Sequence, residues 1–577
     1  MPFGGPPGTD PARSRWLLAP IPDLLLGCGG VYAVAFVVLS VAGAQVRAAL
    51  PFSVVPLLYL VTSAPHYGAT LLRVYERPED RSSYAIFAVW ISAALAISFV
   101  AGLRSISIGS WILTIYLTWS PWHYSGQNYG IATMFLRRRG VEVTPLAKRA
   151  LHASFVLSFA LTFLALHGQA PAATYAPQGL SGMVYQLRPI GIPMSVVGVA
   201  MNVTAVLYAL SLAVAGVQLA PRSSFRDLAP SLALVASQAL WFSAPALARQ
   251  WHVLTSLDPF SVDHALYTFV YIAIAHAVQY LWITWYFART SGRASSGAVF
   301  YGRSLLAGIA LWTVPALVFA PGLLGRLPFD AGLSMLVGAV VNLHHFVLDG
   351  AIWKLRDGRI ARVLIRPAQE AAVPPVFSAE AGAAPRRWIW PLVSVAGALS
   401  VAVTLLSVFE DEIGFHRSLE RGDLARAESA AGHLARIGRD SSAYHLELAL
   451  YEMRNGRRGD ALARVDRSLA LHPTTSAWLL KGQLFEAEDR WRDAIAAYRS
   501  AVALDPSSAF AHYREGLAWL RVGEILEARR ALSTAAMLAP DRPEIEQLLR
   551  QTLRARPVDA DRRPPAPPLP PAGRPGG

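Results

Sequence analysis

Residues 330–354 read DAGLSMLVGAVVNLHHFVLDGAIWK, and this stretch indicates how most of the chain is built. It is mostly apolar and exceeds the ~20 residues that an α-helix needs to cross the hydrocarbon core of a bilayer. His344, His345 and Asp349 interrupt the apolar run, although ionisable side chains are costly in hydrocarbon. Lys354 places a basic residue at the C-terminal end of the stretch. The stretch therefore predicts a membrane-spanning helix that carries polar residues for a functional reason.

Apolar windows of similar length recur through residues 20–410. Of the 577 residues, 54% are hydrophobic and only 16% are charged, a balance typical of a polytopic membrane protein. The predicted fold class is all-α, with a transmembrane bundle of about 11 helices followed by helical repeats. The predicted membrane helices are 20–46, 50–72, 83–103, 107–136, 148–168, 190–219, 228–248, 262–288, 300–321, 330–354 and 389–409.

Basic residues collect in alternate loops between these windows. One set of loops holds clusters such as the arginines at 137–139, whereas the opposite set holds single residues such as Arg104 and Arg188. Cytoplasmic loops are the ones enriched in Lys and Arg, so the tail 1–19 is predicted to lie in the cytoplasm beneath an inner membrane. The same pattern accounts for the net charge of +14, and no nucleic-acid partner is expected.

Residues 411–556 have a different character, with more charge and helical spacing of the apolar residues. The segments LHP, LDP and LAP end at Pro473, Pro506 and Pro540, spaced 33 and 34 residues apart, which is the period of helix-turn-helix repeats. The best copy has its small and aromatic residues at Trp478, Gly482, Phe485, Ala494, Tyr498 and Ala501. This order resembles a tetratricopeptide repeat, and the resemblance implies a surface that recruits a protein partner.

Two further expectations concern the part of the chain after residue 410. With an odd number of membrane helices, the repeats are predicted to lie on the extracytoplasmic side. The tail 557–577 is rich in proline and is predicted to be disordered.

Four histidine positions lie inside the apolar windows: His66, His123, His276 and the pair His344-His345. They fall on predicted helices two, four, eight and ten, which all run in the same direction. At ~1.5 Å per residue, their distances to the next basic residue place them between ~10 and ~21 Å from the cytoplasmic edge. Histidine is the commonest metal ligand, so the pattern predicts an intramembrane metal site with these residues as ligands.

Polar residues one helical turn away are the predicted partners of these ligands. Asp349 lies four residues after His345, on the same helix face, where a carboxylate orients an imidazole or completes the ligand set. Asp349 is therefore the candidate catalytic residue, and His345 is preferred over His344, whose ring diverges by ~100°. The amides predicted to support the ligands are Gln127, Asn128 and Gln279.

Nitrogen ligation beside a carboxylate suits iron, copper or zinc, and iron with open positions suits oxygen chemistry. The motifs PHYGA at His66 and WHYSG at His123 resemble short histidine motifs of the bacterial Brp/Blh-type carotene-cleaving dioxygenases. That resemblance implies an iron-dependent oxygenase or oxidoreductase acting on a lipid-soluble molecule. The chain departs from the family in its larger number of helices and in the appended repeats.

The sequence leaves other functions open. Histidines on neighbouring helices also hold b-type haem, which would be bound non-covalently because the chain has no C-x-x-C-H motif. A non-enzymatic membrane anchor that presents the repeats to a partner is a second alternative. A membrane glycosyltransferase of the lipid-phosphate-sugar class is disfavoured, because the first extracytoplasmic loop, AGAQVRAALP, has no carboxylate to bind a metal.

Overall fold

The computed structural model describes residues 15–49, 55–76, 84–169, 184–254, 265–292, 296–353, 363–365 and 389–554. These residues form helices and connecting loops, with no β-strand among them. The chain divides into two compact units, the first made of Met1–Glu412 with Ile437–Arg439 and the second of Ile413–Arg436 with Asp440–Gly577. The predicted tail 557–577 and most of the predicted segment 1–19 lie outside the described residues.

Eleven helical segments make up the described part of the first unit. Each overlaps one of the windows predicted from sequence. They are α1 (Pro20–Gly27 with Gly30–Gly43, bent by 63°), α2 (Val55–Val61 with Ser63–Tyr75), α3 (Ile86–Arg104), α4 (Ile106–Arg138), α5 (Pro145–His167), α6 (Met194–Arg222), α7 (Phe225–Gln250), α8 (Ala265–Thr290), α9 (Gly297–Val318), α10 (Phe329–Ile352) and α11 (Ile389–Phe409).

Fewer of these helices than predicted are apolar enough to cross a membrane. Among the described residues, seven pass by length and composition, and the bent α1 raises the number to eight, compared with the predicted count of about 11. Helices α2, α4 and α8, which carry His66, His123 and His276, are not among them. Helix α2 is broken into segments of 7 and 13 residues, each too short to pass by itself.

Burial differs between the helices in a way that locates the centre of this unit. In α10, 72% of the most apolar stretch is buried, whereas in α6 the value is only 17%. The exposed side chains of α6 include Val199, Val203 and Leu210. An apolar helix that exposes apolar side chains is typical of a surface that contacts lipid. Helix α10 is therefore central, and α6 is peripheral.

Two glycines bring α2 and α9 into direct backbone contact. A Cβ atom added to Gly68 would lie 1.7 Å from the carbonyl oxygen of Ser304, and one added to Gly308 would lie 1.7 Å from that of Ala64. Small residues allow such close approach between membrane helices. Next to Gly68, the Tyr67 hydroxyl donates a 2.7 Å hydrogen bond to Asn342 Oδ1 of α10. These contacts fix α2, and with it His66, against the central helix.

The second unit consists of short helices in antiparallel pairs. They are α12 (Leu424–Arg436), α13 (Ser442–Arg454), α14 (Arg458–Leu471), α15 (Thr475–Glu486), α16 (Trp491–Leu504), α17 (Ala509–Arg521), α18 (Ile525–Leu538) and α19 (Pro543–Arg554). The first helix of each complete pair is capped by a hydroxyl, because Ser441, Thr474 and Ser508 accept hydrogen bonds from backbone N–H groups.

The paired helices pack through the small residues that the repeat pattern singled out. Ala494 and Ala501 of α16 are fully buried, as is the Tyr498 side chain between them. A Cβ atom added to Gly482 of α15 would lie 2.4 Å from Tyr498 Cε1, so only glycine leaves room for the tyrosine ring. The sequence pattern and the observed packing therefore agree residue by residue in this repeat.

Candidate metal centre

Helices α2, α4, α8 and α10 each contribute one imidazole to a single cluster. The ring of His345 has its centroid 4.2 Å from that of His66, 5.2 Å from that of His123 and 6.1 Å from that of His276. His276 is 5.0 Å from both His66 and His123. The four histidines that were predicted to share one membrane depth thus surround one small volume.

Two overlapping sets of three potential ligand atoms in this cluster lie near the separation that one ion requires. Ligand atoms of His66, His276 and His345 lie within 4.8 Å of one another. The same holds for His123, His345 and Asp349. Because bonds from nitrogen to a transition metal are ~2 Å long, two ligands of one ion lie at most ~4 Å apart. A contraction of less than an ångström would bring either group into that range.

Most of the imidazole nitrogens in the cluster have no hydrogen-bond partner among the residues that the structure describes. Neither ring nitrogen of His66 or His276 has one, and Nε2 of His123 and of His345 also lack one. Three of the rings are only 1–2% exposed, and the His123 side chain is 9% exposed. Leaving a buried polar atom unsatisfied costs ~1–3 kcal/mol, so this concentration of such atoms requires a functional explanation.

A chain of hydrogen bonds behind the cluster orients His345 and Asp349. Tyr280 donates its hydroxyl hydrogen to Asp349 Oδ1 at 2.5 Å, and Trp353 Nε1 donates to the same hydroxyl at 3.2 Å. Thr70 Oγ1 lies 2.7 Å from the Tyr280 hydroxyl and 2.9 Å from His345 Nδ1. The second carboxylate oxygen of Asp349 faces the cluster, 3.7 Å from His345 Nε2 and 3.8 Å from His123 Nε2.

Counting protons along this chain assigns the tautomer of His345. With Asp349 as a carboxylate, Tyr280 uses its only hydrogen on Asp349, so Thr70 must donate its own hydrogen to Tyr280. Thr70 can then only accept at His345, which places the imidazole hydrogen on Nδ1. The lone pair of Nε2 is left pointing into the cluster. A metal-ligating histidine is held by the same kind of bond from its other ring nitrogen.

His344 does not join the cluster, although it was included among the predicted ligands. Its Nε2 lies 2.9 Å from Ser92 Oγ and 3.2 Å from the Tyr75 hydroxyl, and its ring stacks on Tyr75 at a centroid distance of 6.2 Å. Adjacent helical residues point in directions ~100° apart, so one of the pair had to face elsewhere. The preference for His345 over its neighbour is in accord with this geometry.

The amides that were predicted to support the ligands form a separate network. Gln127 donates to Gln279 at 2.5 Å, and Gln279 donates to Asn128 Oδ1 at 3.1 Å and to the carbonyl oxygen of Gly27 at 2.8 Å. Asn128 in turn donates to Gln238 at 3.0 Å. Among the described residues, these hydrogen bonds join the three amides to one another, to Gln238 and to Gly27, and none of them goes to an imidazole. The network joins α1, α4, α7 and α8 and is a structural feature of the bundle.

Sequence reasoning overlooked the residues that do contact the ligands. Neither Thr70 nor Tyr280 is among the residues that were predicted to form the site. Each lies four residues after a cluster histidine on the same helix, Thr70 after His66 and Tyr280 after His276. The spacing that pointed to Asp349 could therefore have identified both.

A cavity of about 300 Å³ adjoins the cluster on one side. Two cluster residues, His123 and Asp349, form part of its wall, and most of the remaining wall is aromatic or aliphatic. Pockets for small molecules are commonly apolar, with a few converging polar groups. The buried histidine cluster therefore lies directly beside a mostly apolar cavity.

Comparison with known proteins concerns the second unit. Residues 446–509 and 484–543 match the model of the tetratricopeptide repeat family. The TPR repeat-containing thioredoxin TTL4 of Arabidopsis thaliana is 36% identical over 101 residues, which cover 17% of this chain and 14% of that protein. The chain thus matches about a seventh of the length of this curated relative.

Two solved structures are similar at low scores. A MamA protein is 22% identical, with 26% of this chain and 80% of that chain covered and a TM-score of 0.23. The APC/C hetero-tetramer Cut9-Hcn1 is 12% identical, with 88% of this chain and 99% of that chain covered and a TM-score of 0.22. The family match and the helix pairs described above carry the assignment. The C-terminal part of the chain is a tetratricopeptide repeat domain, as its sequence pattern predicted.

Proposed function

We propose that the first unit is a membrane-embedded metal protein that acts as an oxidoreductase on a lipid-soluble substrate. The observation that carries this proposal is the convergence of four buried imidazoles, most of whose ring nitrogens lack a hydrogen-bond partner among the described residues. Unpaired polar atoms at this density are a large cost to a fold unless a ligand offsets it. A positive ion held by the ring nitrogens would satisfy several of them at once.

Iron is the metal that we favour. His66, His123, His276 and His345 would hold it through neutral imidazole nitrogens, and Asp349 would supply its cluster-facing oxygen as a further ligand or as a proton acceptor. Bound to nitrogen ligands with an open position, iron supplies redox chemistry with oxygen. The resemblance of PHYGA and WHYSG to carotene dioxygenase motifs supports the same class of reaction. The proposal that the substrate is lipid-soluble is based on the mostly apolar wall of the adjoining cavity.

The crowding of the rings argues for an ion and not for haem. The two axial imidazoles of a b-type haem lie on opposite faces of a porphyrin, which must fit between them. The cluster rings, with centroids 4.2–6.1 Å apart, meet mostly edge to face. No slot for a macrocycle lies between them.

Placement in the cytoplasmic membrane is part of the proposal. Seven or eight helices are long and apolar enough to cross a bilayer, and helices such as α6 expose apolar side chains. The distribution of basic loops favours a cytoplasmic N-terminus. If all eleven helices of the first unit cross the membrane, the repeat domain lies on the extracytoplasmic side and recruits its protein partner there.

The test is metal analysis of the full chain purified in detergent, together with an absorption spectrum. We expect about one iron per chain and no intense Soret band. Substituting His66, His123, His276 or His345 by alanine should remove most of the metal. His344→Ala is the matched control, because it removes a neighbouring histidine on the same helix that lies outside the cluster.

Two results would contradict the proposal. A strong Soret band that is lost in the cluster variants would show that the bound cofactor is haem and not a single metal ion. Well-folded protein without metal above background would leave the non-enzymatic alternative, a membrane anchor that presents tetratricopeptide repeats to a protein partner.

A further inference from the structure

Three glycines form part of the wall of the cavity beside the cluster. Gly126 and Gly130 belong to α4, and Gly350 belongs to α10. A Cβ atom added to any of them would meet no other atom within 4 Å. Glycine is therefore not required at these positions by packing against neighbouring residues. The missing side chains leave open the space between α4 and α10.

The cavity opens towards the apolar surface of the bundle. Gly126 and Gly350 are exposed, and Trp122 beside them is 46% exposed. Gly126 precedes the basic end of α4 at Arg138 by twelve residues, which is ~18 Å along a helix. An opening at that depth is in hydrocarbon when α4 crosses a bilayer, so the occupant arrives from the membrane and not from water.

The wall of the cavity is mostly apolar and follows α4. Its lining residues on this helix run from Trp119 to Met134, a distance of ~22 Å at the rise of a helix. Ile131 and Met134 line its deep part and are only 3% and 1% exposed. The Nε2 atom of His123, which has no hydrogen-bond partner among the described residues, belongs to a side chain in this wall that is nine-tenths buried. A polar group beside an elongated, mostly apolar lining indicates a ligand with an apolar chain.

We propose that this cavity takes a slender, single-chain lipid such as a fatty acyl or isoprenoid chain, which enters sideways between α4 and α10. Gly126, Gly130 and Gly350 determine its width, so they are specificity-determining residues. The chain lies along α4 and brings one of its carbon atoms to the side of the cluster formed by His123 and Asp349. Only this last step rests on the metal function proposed above; occupancy of the cavity by a lipid chain does not.

The test uses full-length protein in phosphatidylcholine vesicles with a fatty acid that carries a diazirine in the middle of its chain. After irradiation, labelled residues are mapped by mass spectrometry. We expect labelling of Ile131 and Met134, which bulk lipid does not reach because they are buried. Excess oleic acid should compete, whereas cholesterol should not, because its rigid rings are wider than an acyl chain.

Substitution of the glycines provides the decisive comparison. Gly126→Leu and Gly130→Leu should each lower labelling of Met134 by about tenfold, since the leucine fills the space of the chain. Gly216→Leu is the matched control on α6, where an added Cβ also meets nothing within 4 Å but the residue does not line this cavity. Labelling in this control should equal that of the unsubstituted protein.

Labelling of the buried residues that persists unchanged in both leucine variants, or that is absent from the start, would overturn the proposal. Bound metal is measured on the same samples. Glycine-dependent labelling of metal-free protein would uphold the lipid cavity while the metal function fails. Full metal content without labelling would refute the lipid cavity alone.

Discussion

Thr70 Oγ1 lies 2.9 Å from Nδ1 of His345, and this contact joins α2 to α10 at the back of the cluster. The two residues are separated by 275 positions in the chain. Because Thr70 also contacts the Tyr280 hydroxyl, its hydroxyl links His345 to the group that holds Asp349. One small polar side chain thus sets the orientation of both an imidazole and, indirectly, a carboxylate.

Replacing Thr70 by valine removes this hydrogen bond with little change in volume. We expect the affinity for the metal to fall roughly ten- to a hundredfold, as is usual when a group that orients a ligating histidine is lost. The measurement is metal content of the purified chain as a function of chelator concentration. Thr70→Ser, which keeps the hydroxyl, should retain most of the affinity.

A matched control exists on α4 and α5. Thr118 Oγ1 lies 2.9 Å from Nε2 of His167, a histidine that does not belong to the cluster. Thr118→Val should leave metal affinity unchanged. If Thr70→Val and Thr118→Val behave alike, Thr70 has no specific role in the site.

The helices that carry the cluster histidines, and the depth of these residues along them, could be predicted from the sequence because both depend only on the local sequence. The positions of His66, His123, His276 and His345 within apolar windows follow from hydropathy, and their common depth follows from the rise of a helix. In the structure, the rings of these four histidines surround one small volume. The same reasoning places the tetratricopeptide repeats, whose period is visible in the chain itself.

Contacts between distant helices could not be predicted in this way. Helical spacing shows that Gln127 and His123 share a face, but it does not show that Gln127 would instead bond to Gln279. Among the described residues, seven or eight helices are long and apolar enough to cross a membrane, compared with the predicted count of about 11, and α2 is broken into two short segments. Neither the partner of an amide nor a break in a helix can be predicted from hydropathy and helical spacing alone.

Gln279→Leu tests whether the amide network is structural. Gln279 has two hydrogen bonds through its own N–H groups and accepts one from Gln127, all in the interior. A leucine would leave the amide donor of Gln127 and the oxygen of Asn128 without these partners, at a cost of ~1–3 kcal/mol for each buried group. We expect a lower unfolding temperature but normal metal content per folded chain. Loss of metal without loss of stability would instead give Gln279 a role in the site.

Gly482→Ala tests the packing of the best tetratricopeptide repeat. The added methyl would lie 2.4 Å from Tyr498 Cε1, so α15 and α16 must move apart, at a cost of ~1–3 kcal/mol. Hydrogen exchange of peptides from α15 and α16, measured on the full chain, should accelerate accordingly. In Gly459→Ala on α14, the added methyl has nothing within 4 Å, and exchange should stay equal or become slower because alanine favours helix. Equal acceleration in both variants would contradict the packing argument.

Asp440 should make the stability of the repeat domain depend on pH. Burial raises the pKa of Asp440, but hydrogen bonds from His445 Nε2 at 2.9 Å and Arg467 at 2.6 Å outweigh it, so the pKa is lowered overall. A carboxylate whose pKa is lower in the folded state stabilises the fold above its unfolded pKa of ~3.9, and this stabilisation is lost as the pH falls through the folded value.

Asp440→Asn should therefore destabilise α13 and α14 by about 1–2 kcal/mol at pH 7. The difference from the unsubstituted chain should shrink below about pH 4, where the carboxylate of the unsubstituted protein becomes protonated. The measurement is hydrogen exchange of peptides from these helices between pH 3 and pH 7, corrected for the intrinsic rate. Asp466→Asn is the control, because Asp466 pairs with Lys481 at 2.7 Å while 54% exposed, and exposed ion pairs contribute little. A difference for Asp440→Asn that stays constant down to pH 3 would show that its charge does not stabilise the repeats.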